Sequence, residues 1–213
     1  MTKVDDTFSI KQKIKSLALE IGFDAVQFTS PTGLEKNAQY FDQFLTSSHH
    51  GEMKWMEEKA DRRKNPLVLW PETKSIIMLG MNYGPATNPL EFLKHKERGN
   101  ISVYALGKDY HDLIKKRLKQ IARQIHRDYD VDVKVFVDTA PVMEKPLAQK
   151  SGIGWQGKHT NLVSHEFGSW LFLGSIFTAL ELDPDNAHKD HCGSCHACLD
   201  ICPTNAFPSP YQL

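Results

Sequence analysis

The densest chemistry in the sequence lies near its end, at Cys192-Gly193-Ser194-Cys195-His196-Ala197-Cys198-Leu199-Asp200-Ile201-Cys202-Pro203. All four cysteines of the chain fall in this stretch with the spacing C-x2-C-x2-C-x3-C-P, a run that holds [4Fe-4S] clusters in iron-sulfur electron carriers. Thiolates at this spacing reach three corners of one cubane, and the Cys-Pro that follows turns the chain so that the last sulfur aims elsewhere. In two-cluster proteins that last cysteine serves the other cluster. Cys192, Cys195 and Cys198 are thus a three-thiolate set, whose fourth protein ligand is Cys202 bending back or none. A four-cysteine zinc site usually draws on two CxxC pairs separated by a longer loop, and this run is too compact for that. Disulfides fit less well still, because a chain of this size needs no covalent staples and opens without a secretory leader.

The elements that must position such a site come from an ordinary globular composition. With 213 residues, 40% of them hydrophobic, the chain is long enough for one sizeable domain or a domain with a small appendage. Its 26 basic and 26 acidic residues cancel, which excludes an overall electrostatic footprint for nucleic acid and leaves room only for local contacts. The start, Met1-Thr2-Lys3-Val4-Asp5-Asp6, has no apolar leader and no stretch reaches the length of a membrane span. A cytoplasmic setting follows, one that keeps cluster thiols reduced.

Ser9-Ile10-Lys11-Gln12 reads as a capping box opening a helix that runs to Gly22, with a strand over 23–29 and a second helix over 34–45. The charged Lys59-Ala60-Asp61-Arg62-Arg63-Lys64 segment is either a solvated face or an anion contact beside aromatic residues. Strands are expected over 75–79, 101–105 and 131–137. The turn 106–111 leads into the longest helix, whose stripe is Leu113, Ile114, Leu118, Ile121, Ala122 and Ile125. A short helix over 144–151 stops at Gly152, and two strands flank the turn at 166–168, the second apolar enough to be central.

Asp138 stands where the strand over 131–137 ends. Carboxylates at strand ends often face the crevice beyond a sheet, which makes Asp138 a candidate acid; the alternative is a plain turn cap through an Asx hydrogen bond. Gly152-Ile153-Gly154-Trp155-Gln156-Gly157-Lys158-His159-Thr160-Asn161 alternates glycines with large or polar side chains and ends in a row of donors. Glycines allow close approach of a flat or anionic ligand, yet the order matches neither a dinucleotide fingerprint nor a P-loop.

Several strings together resemble one family, the cobalamin-dependent, iron-sulfur epoxyqueuosine reductases of tRNA modification. They are Tyr104-Ala105-Leu106-Gly107-Lys108-Asp109-Tyr110-His111, Val137-Asp138-Thr139-Ala140-Pro141, the glycine segment from Gly152 to Leu162, Gly168-Ser169-Trp170-Leu171-Phe172-Leu173-Gly174, and Asp190-His191-Cys192 through Pro203-Thr204. The resemblance implies an α/β fold: a mixed helix-and-sheet, cobalamin-binding catalytic domain over 1–180, then over 181–213 the first part of a ferredoxin-like iron-sulfur domain. It implies reduction of epoxyqueuosine to queuosine at the tRNA wobble position, the epoxide becoming an alkene and its oxygen leaving as water. Electrons would pass through two [4Fe-4S] clusters, held in part by Cys192, Cys195, Cys198 and Cys202, to a cobalamin bound without its base ligand.

By the same resemblance Asp138 is the proton donor, at a poorly solvated place where a carboxyl stays protonated near neutrality. The glycine segment becomes a corrin cradle, with Lys158, Thr160, Asn161, Tyr104 and Arg63 lining the cobalamin or its phosphate tail. Expected partners are tRNA carrying epoxyqueuosine and an external electron donor such as a flavodoxin or ferredoxin system, with no membrane and a monomeric chain. Family members carry a second cysteine run and a helical C-terminal region that this sequence lacks, so a truncated chain with an incomplete electron path is expected. The competing readings are a small iron-sulfur electron-transfer protein without its own substrate and a structural metal module. The first of these leaves Asp138 and the glycine segment unexplained.

Overall fold

Apolar residues that run on without a polar break mark a strand covered on both faces, and Ser75–Asn82 is such a run. In the computed structural model, which describes residues 3–212 and side chains from Thr7 onward, this strand sits inside a four-stranded sheet. The expectations placed on Met1, Thr2 and Leu213 lie outside the described residues. The sheet combines β1 (Ala25–Thr29), β2 (Ser75–Asn82), β3 (Val133–Phe136) and β6 (Leu171–Thr178) in the order β1-β2-β6-β3, every neighbouring pair antiparallel. A separate hairpin pairs β4 (Trp155–Gln156) with β5 (Leu162–Val163). The apolar strand over 171–178 is indeed central, as its composition suggested.

Alternation along β2 builds two cores. Ile77, Leu79 and Met81 face α1 (Lys3–Ile21) and α6 (Tyr110–Tyr129), while Ile76 and Met78 face Leu147 and Ala148 of α7 (Glu144–Ser151) and the indole of Trp70. Helix α6 begins where the Asp109 side chain accepts the His111 N–H at 2.9 Å, and it buries Ile114, Leu118, Ile121, Ala122 and Ile125. Leu113, assigned to the same stripe from spacing, points outward and is 44% exposed. Leu118→Ala is expected to lower the unfolding free energy by about 2–5 kcal/mol, because Leu118 is fully buried between helix and sheet. Urea denaturation followed by circular dichroism measures it.

Two further expectations fail. Ser9 lies inside α1 rather than at its cap, since no Pro or Gly interrupts the preceding residues and the helical ladder continues back to Lys3. The segment 101–105 is no strand: Val103–Ala105 forms a single 3-10 turn with Ile101 60% and Tyr104 57% exposed, so no sheet edge covers the apolar residues. The remaining helices are short or peripheral, namely α2 (Glu35–Thr46), α3 (Trp55–Glu58), α4 (Ala60–Lys64), α5 (Pro66–Leu69) and, within the cysteine run, α8 (Ala197–Asp200). Among the described residues no helix is long and apolar enough to cross a membrane.

Candidate functional site

An L-residue forced to positive φ stores strain that the surrounding structure must hold in place. Asp138 is such a residue, at φ 47°, and it is the centre of a three-residue turn in which the Thr139 N–H reaches the Val137 carbonyl at 2.5 Å. Its carboxylate does not serve the turn. Oδ2 instead accepts the Tyr110 hydroxyl at 2.6 Å and lies 3.3 Å from His111 Nε2. The turn-cap alternative is thereby replaced by contacts to the first turn of α6. Because the sheet is antiparallel, the crevice of a parallel sheet is not what places Asp138. The docking of α6 beside β3 does so.

The backbone of Asp138 is held from the other side, its N–H donating to Glu144 Oε1 at 3.1 Å. Glu144 opens α7, and its carboxyl is drawn inward although the residue keeps some accessible surface. Burial pushes its pKa up to about 8; the Asp138 N–H opposes that, the Asp138 charge adds to it, and Arg63 and His111 oppose it. An acid raised in the folded state binds its proton more tightly there than in the unfolded chain. Stability from Glu144 is therefore full at acid pH and is lost as the pH climbs from the ordinary 4.5 through about 8. Glu144→Gln is expected to flatten that decline, and unfolding free energies measured across the same pH window test it.

His111 spans two carboxylates, with Nδ1 2.7 Å from Asp109 Oδ1 and Nε2 facing Asp138. Desolvation opposes its charge, but Asp109 and then Asp138 outweigh it and raise its pKa. Desolvation, then the Asp138 contact, also raises Tyr110, so that its hydroxyl remains a proton donor to the carboxylate. The ring of Tyr110 stacks on Phe172 at 4.0 Å, and Phe172 on Tyr83 at 4.1 Å, giving the carboxylate an aromatic flank. The Asp138 side chain itself is 60% exposed, so the poorly solvated setting expected for it is not supplied by the chain alone.

The expected cofactor residues divide into two groups. Arg63 lies within electrostatic reach of Glu144 and Asp138, its guanidinium over the rings of Trp55 (5.3 Å) and Phe41 (6.0 Å). Its Nε is buried without a hydrogen-bond partner, and burial lowers its pKa against the pull of Glu144 and Asp138. Asn161 joins the same neighbourhood by accepting Lys145 Nζ at 2.9 Å, and Asp138 acts on that ammonium in turn. Tyr104 stands on its exposed 3-10 turn, and Thr160, at φ 66°, closes a turn by donating its N–H to the Gly157 carbonyl at 2.8 Å.

Lys158 belongs to the cysteine run, donating from Nζ to the carbonyls of Gly193 and Cys195 at 2.7 Å each. Cys192 Sγ accepts the Trp155 indole N–H at 3.4 Å, and its backbone N–H is held by Asp190 Oδ1 at 2.7 Å. At Cys202 the Thr204 hydroxyl, then the Ala206 N–H, lower the thiol toward the thiolate that iron requires. All four thiols are unpaired. An anchored loop of thiols with such donors fits an iron-sulfur cluster. An arginine whose buried Nε lacks a partner, within electrostatic reach of an exposed aspartate, suits a ligand carrying an anionic group.

The glycines of the expected cradle have a different cause. A Cβ on Gly154 would press into the Val163 carbonyl, with the carbonyl carbon at 2.8 Å, and one on Gly152, at φ 94°, would meet Asn186 O at 2.5 Å. Both glycines admit this chain's own backbone rather than a ligand. Sequence reasoning passed over Tyr110, His111 and Glu144 as site residues. The Asp-Tyr-His string at a helix start was the available signal for the first two, whereas Glu144 looks like any acid in a first helical turn.

Residues 63–139 match the family model described as Epoxyqueuosine reductase QueG, DUF1730. The epoxyqueuosine reductase of Escherichia coli strain K12 is 39% identical over 215 residues, covering 100% of this chain and 56% of that protein. A crystal structure of epoxyqueuosine reductase with a tRNA-Tyr epoxyqueuosine-modified stem loop superposes with a TM-score of 0.82 at 28% identity, covering 97% of this chain and 55% of that one. The Bacillus subtilis epoxyqueuosine reductase, solved with an aspartate-bearing catalytic loop swung out of the active site, gives a TM-score of 0.81 at 27% identity over 97% of this chain and 55% of that one. The chain spans about half the length of the relatives it matches, and over that span it is similar in sequence and in fold to the epoxyqueuosine reductases.

Proposed function

We propose that this chain is the cobalamin-binding, proton-delivering part of an enzyme that reduces epoxyqueuosine to queuosine in tRNA. The observation that carries the reading is Asp138 on its strained turn, its carboxylate exposed to a ligand yet held by Tyr110 and His111 and its backbone held by Glu144. The B. subtilis relative, whose catalytic loop bears an aspartate, supports it. Converting an epoxide to an alkene takes up two electrons and two protons and releases one water. A cobalamin, when bound, supplies the reducing equivalents, fed by clusters on Cys192, Cys195, Cys198 and Cys202 from an external donor of the flavodoxin or ferredoxin class.

The chain's own residues handle the proton. Asp138 delivers one to the departing epoxide oxygen, which would otherwise leave as a poorly stabilised alkoxide. Tyr110 fixes the carboxylate's direction, and His111, braced by Asp109, stands where a proton returns to Asp138. Arg63 and Asn161 are placed to hold the ligand beside this group, Arg63 through an anionic substituent. Lys158 steadies the cluster loop. The crystal structure of a relative with a modified tRNA stem loop supports tRNA as the partner. With net charge zero, contacts to it must be local, and the Arg62-Arg63-Lys64 segment is one candidate.

The test is anaerobic reconstitution of the chain with iron, sulfide and cobalamin, followed by absorbance and EPR spectra and by iron and cobalt counts. The expected result is retained cobalt with a base-off cob(II)alamin signal that Asp138→Asn and Arg63→Gln both alter. Iron and sulfide without retained cobalt would overturn the reading in favour of a small electron carrier.

A further inference from the structure

Three histidines converge on one side of Trp155. His165 comes from the turn between β5 and β6, and His188 and His191 come from the segment leading into the cysteine run. One ring nitrogen from each lies within 4.8 Å of the others, and the three ring centroids sit 5.0, 5.4 and 5.1 Å from the Trp155 ring. Among the described residues this is the one group of imidazole, thiol and carboxylate ligands so gathered. It takes no part in the Asp138 site.

Each histidine is held by its own backbone. The turn carrying His165 is closed by reciprocal hydrogen bonds between Ser164 and Gly168 at 2.8 and 3.0 Å, and the His188 N–H is fixed to the Gln149 carbonyl at 2.9 Å. Asp190, beside His191, accepts the Cys192 N–H and the Tyr211 hydroxyl. The His188 ring adds a chemical detail. Its Nδ1 lies 2.9 Å from the Lys189 carbonyl, which can only accept, so Nδ1 carries the proton and Nε2 presents its lone pair. A histidine whose second ring nitrogen donates to a backbone carbonyl is the usual form of a metal ligand.

We propose that His165, His188 and His191 bind a borderline divalent ion of the zinc class through three nitrogens, with the remaining position open to water, and so clasp the entry of the cysteine run to the β5–β6 turn. Zinc-to-nitrogen bonds of about 2.0–2.1 Å in tetrahedral geometry put ligand nitrogens roughly 3.4 Å apart. Rotation of the exposed His165 and His191 rings covers the difference from the observed spacing. Neutral imidazoles suit zinc, nickel and copper, and the absence of a carboxylate from the group disfavours magnesium and calcium. The site is distinct from the four thiols, although His191 adjoins Cys192.

Zn2+ and Co2+ added separately to the chelator-treated chain test this, with calorimetry for stoichiometry and long-range imidazole nitrogen NMR for the ligands. One equivalent of Zn2+ is expected to shift one ring nitrogen on each of the three histidines and to bind equally in a chain with all four cysteines changed to serine. His165→Gln and, separately, His188→Gln should weaken it by roughly 100-fold or more, at least the loss seen when only an outer contact to a metal ligand is removed. His165 is exposed and remote from the cysteines in sequence, so circular dichroism of that variant should match the parent. Zn2+ affinity unchanged in both histidine variants, Co2+ spectra showing thiolate charge transfer alone, or no shift of the three imidazoles would each overturn the proposal.

Discussion

Asp138→Asn is expected to slow epoxide reduction by roughly 10²–10⁴-fold, the usual worth of a positioned general acid. The assay is single-turnover conversion of epoxyqueuosine in tRNA, followed by nucleoside mass spectrometry, in a cluster-loaded, cobalamin-loaded protein of full family length. Asparagine keeps the size of the side chain and still offers Tyr110 an oxygen, so the strained turn and its Glu144 contact should survive. What it lacks is a proton acidic enough to pass to a leaving oxygen. Tyr110→Phe should cost less, because it loosens the direction of the carboxylate without removing the acid. A variant at Asp138 that kept the rate within about tenfold of the parent would show that the proton comes from elsewhere.

Gly154→Ala is expected to destabilise the chain by at least about 3 kcal/mol, at the upper end of what overpacking costs. Its added methyl group points at backbone rather than at a side chain that could swing away: the Val163 carbonyl, with Ser164 Cα at 3.3 Å behind it. Relief requires separating β4 from β5, which breaks the Trp155–Val163 pairing. Trp155 would move with it, and its indole is what contacts Cys192 Sγ. The loss should therefore appear twice, as a lower urea midpoint by circular dichroism and as poorer iron retention after reconstitution. Gly99→Ala is the control: a Cβ there meets nothing within 4 Å, and its effect should stay within about 0.5 kcal/mol. Equal midpoints for the two variants would refute the account of Gly154.

The helix α7 and its stop were legible to the residue, because Glu144 to Ser151 is helix-forming and Gly152 takes the left-handed φ that ends it. Helix α6 was legible from its apolar stripe, five of whose six residues are buried, and β2 from an apolar run needing cover on both faces; the Asp109 cap emerged only in the structure. The strand expected over 101–105 was not there, since β-branched and aromatic residues favour a strand only where a sheet edge accepts them. Lys158 shows the same limit at a site. Its place in a row of donors suggested a ligand, whereas tertiary folding brings the carbonyls of Gly193 and Cys195 to its ammonium.

Close spacing was legible along the chain itself: four cysteines fall within eleven residues, and Asp138 stood out already as an acid closing a β-branched strand. The company these residues keep was decided in three dimensions. Tyr110 lies 28 residues from Asp138, and the two meet only because α6 docks on the sheet beside β3. Glu144 becomes an acid with a raised pKa only once α7 draws its carboxyl inward. The three histidines around Trp155 share no local pattern that includes His165, and only the packing of the β5–β6 turn against the chain entering the cysteine run brings them together. Burial, strain and long-range contact arise from packing, and a one-dimensional pattern carries no record of them until the chain has closed on itself.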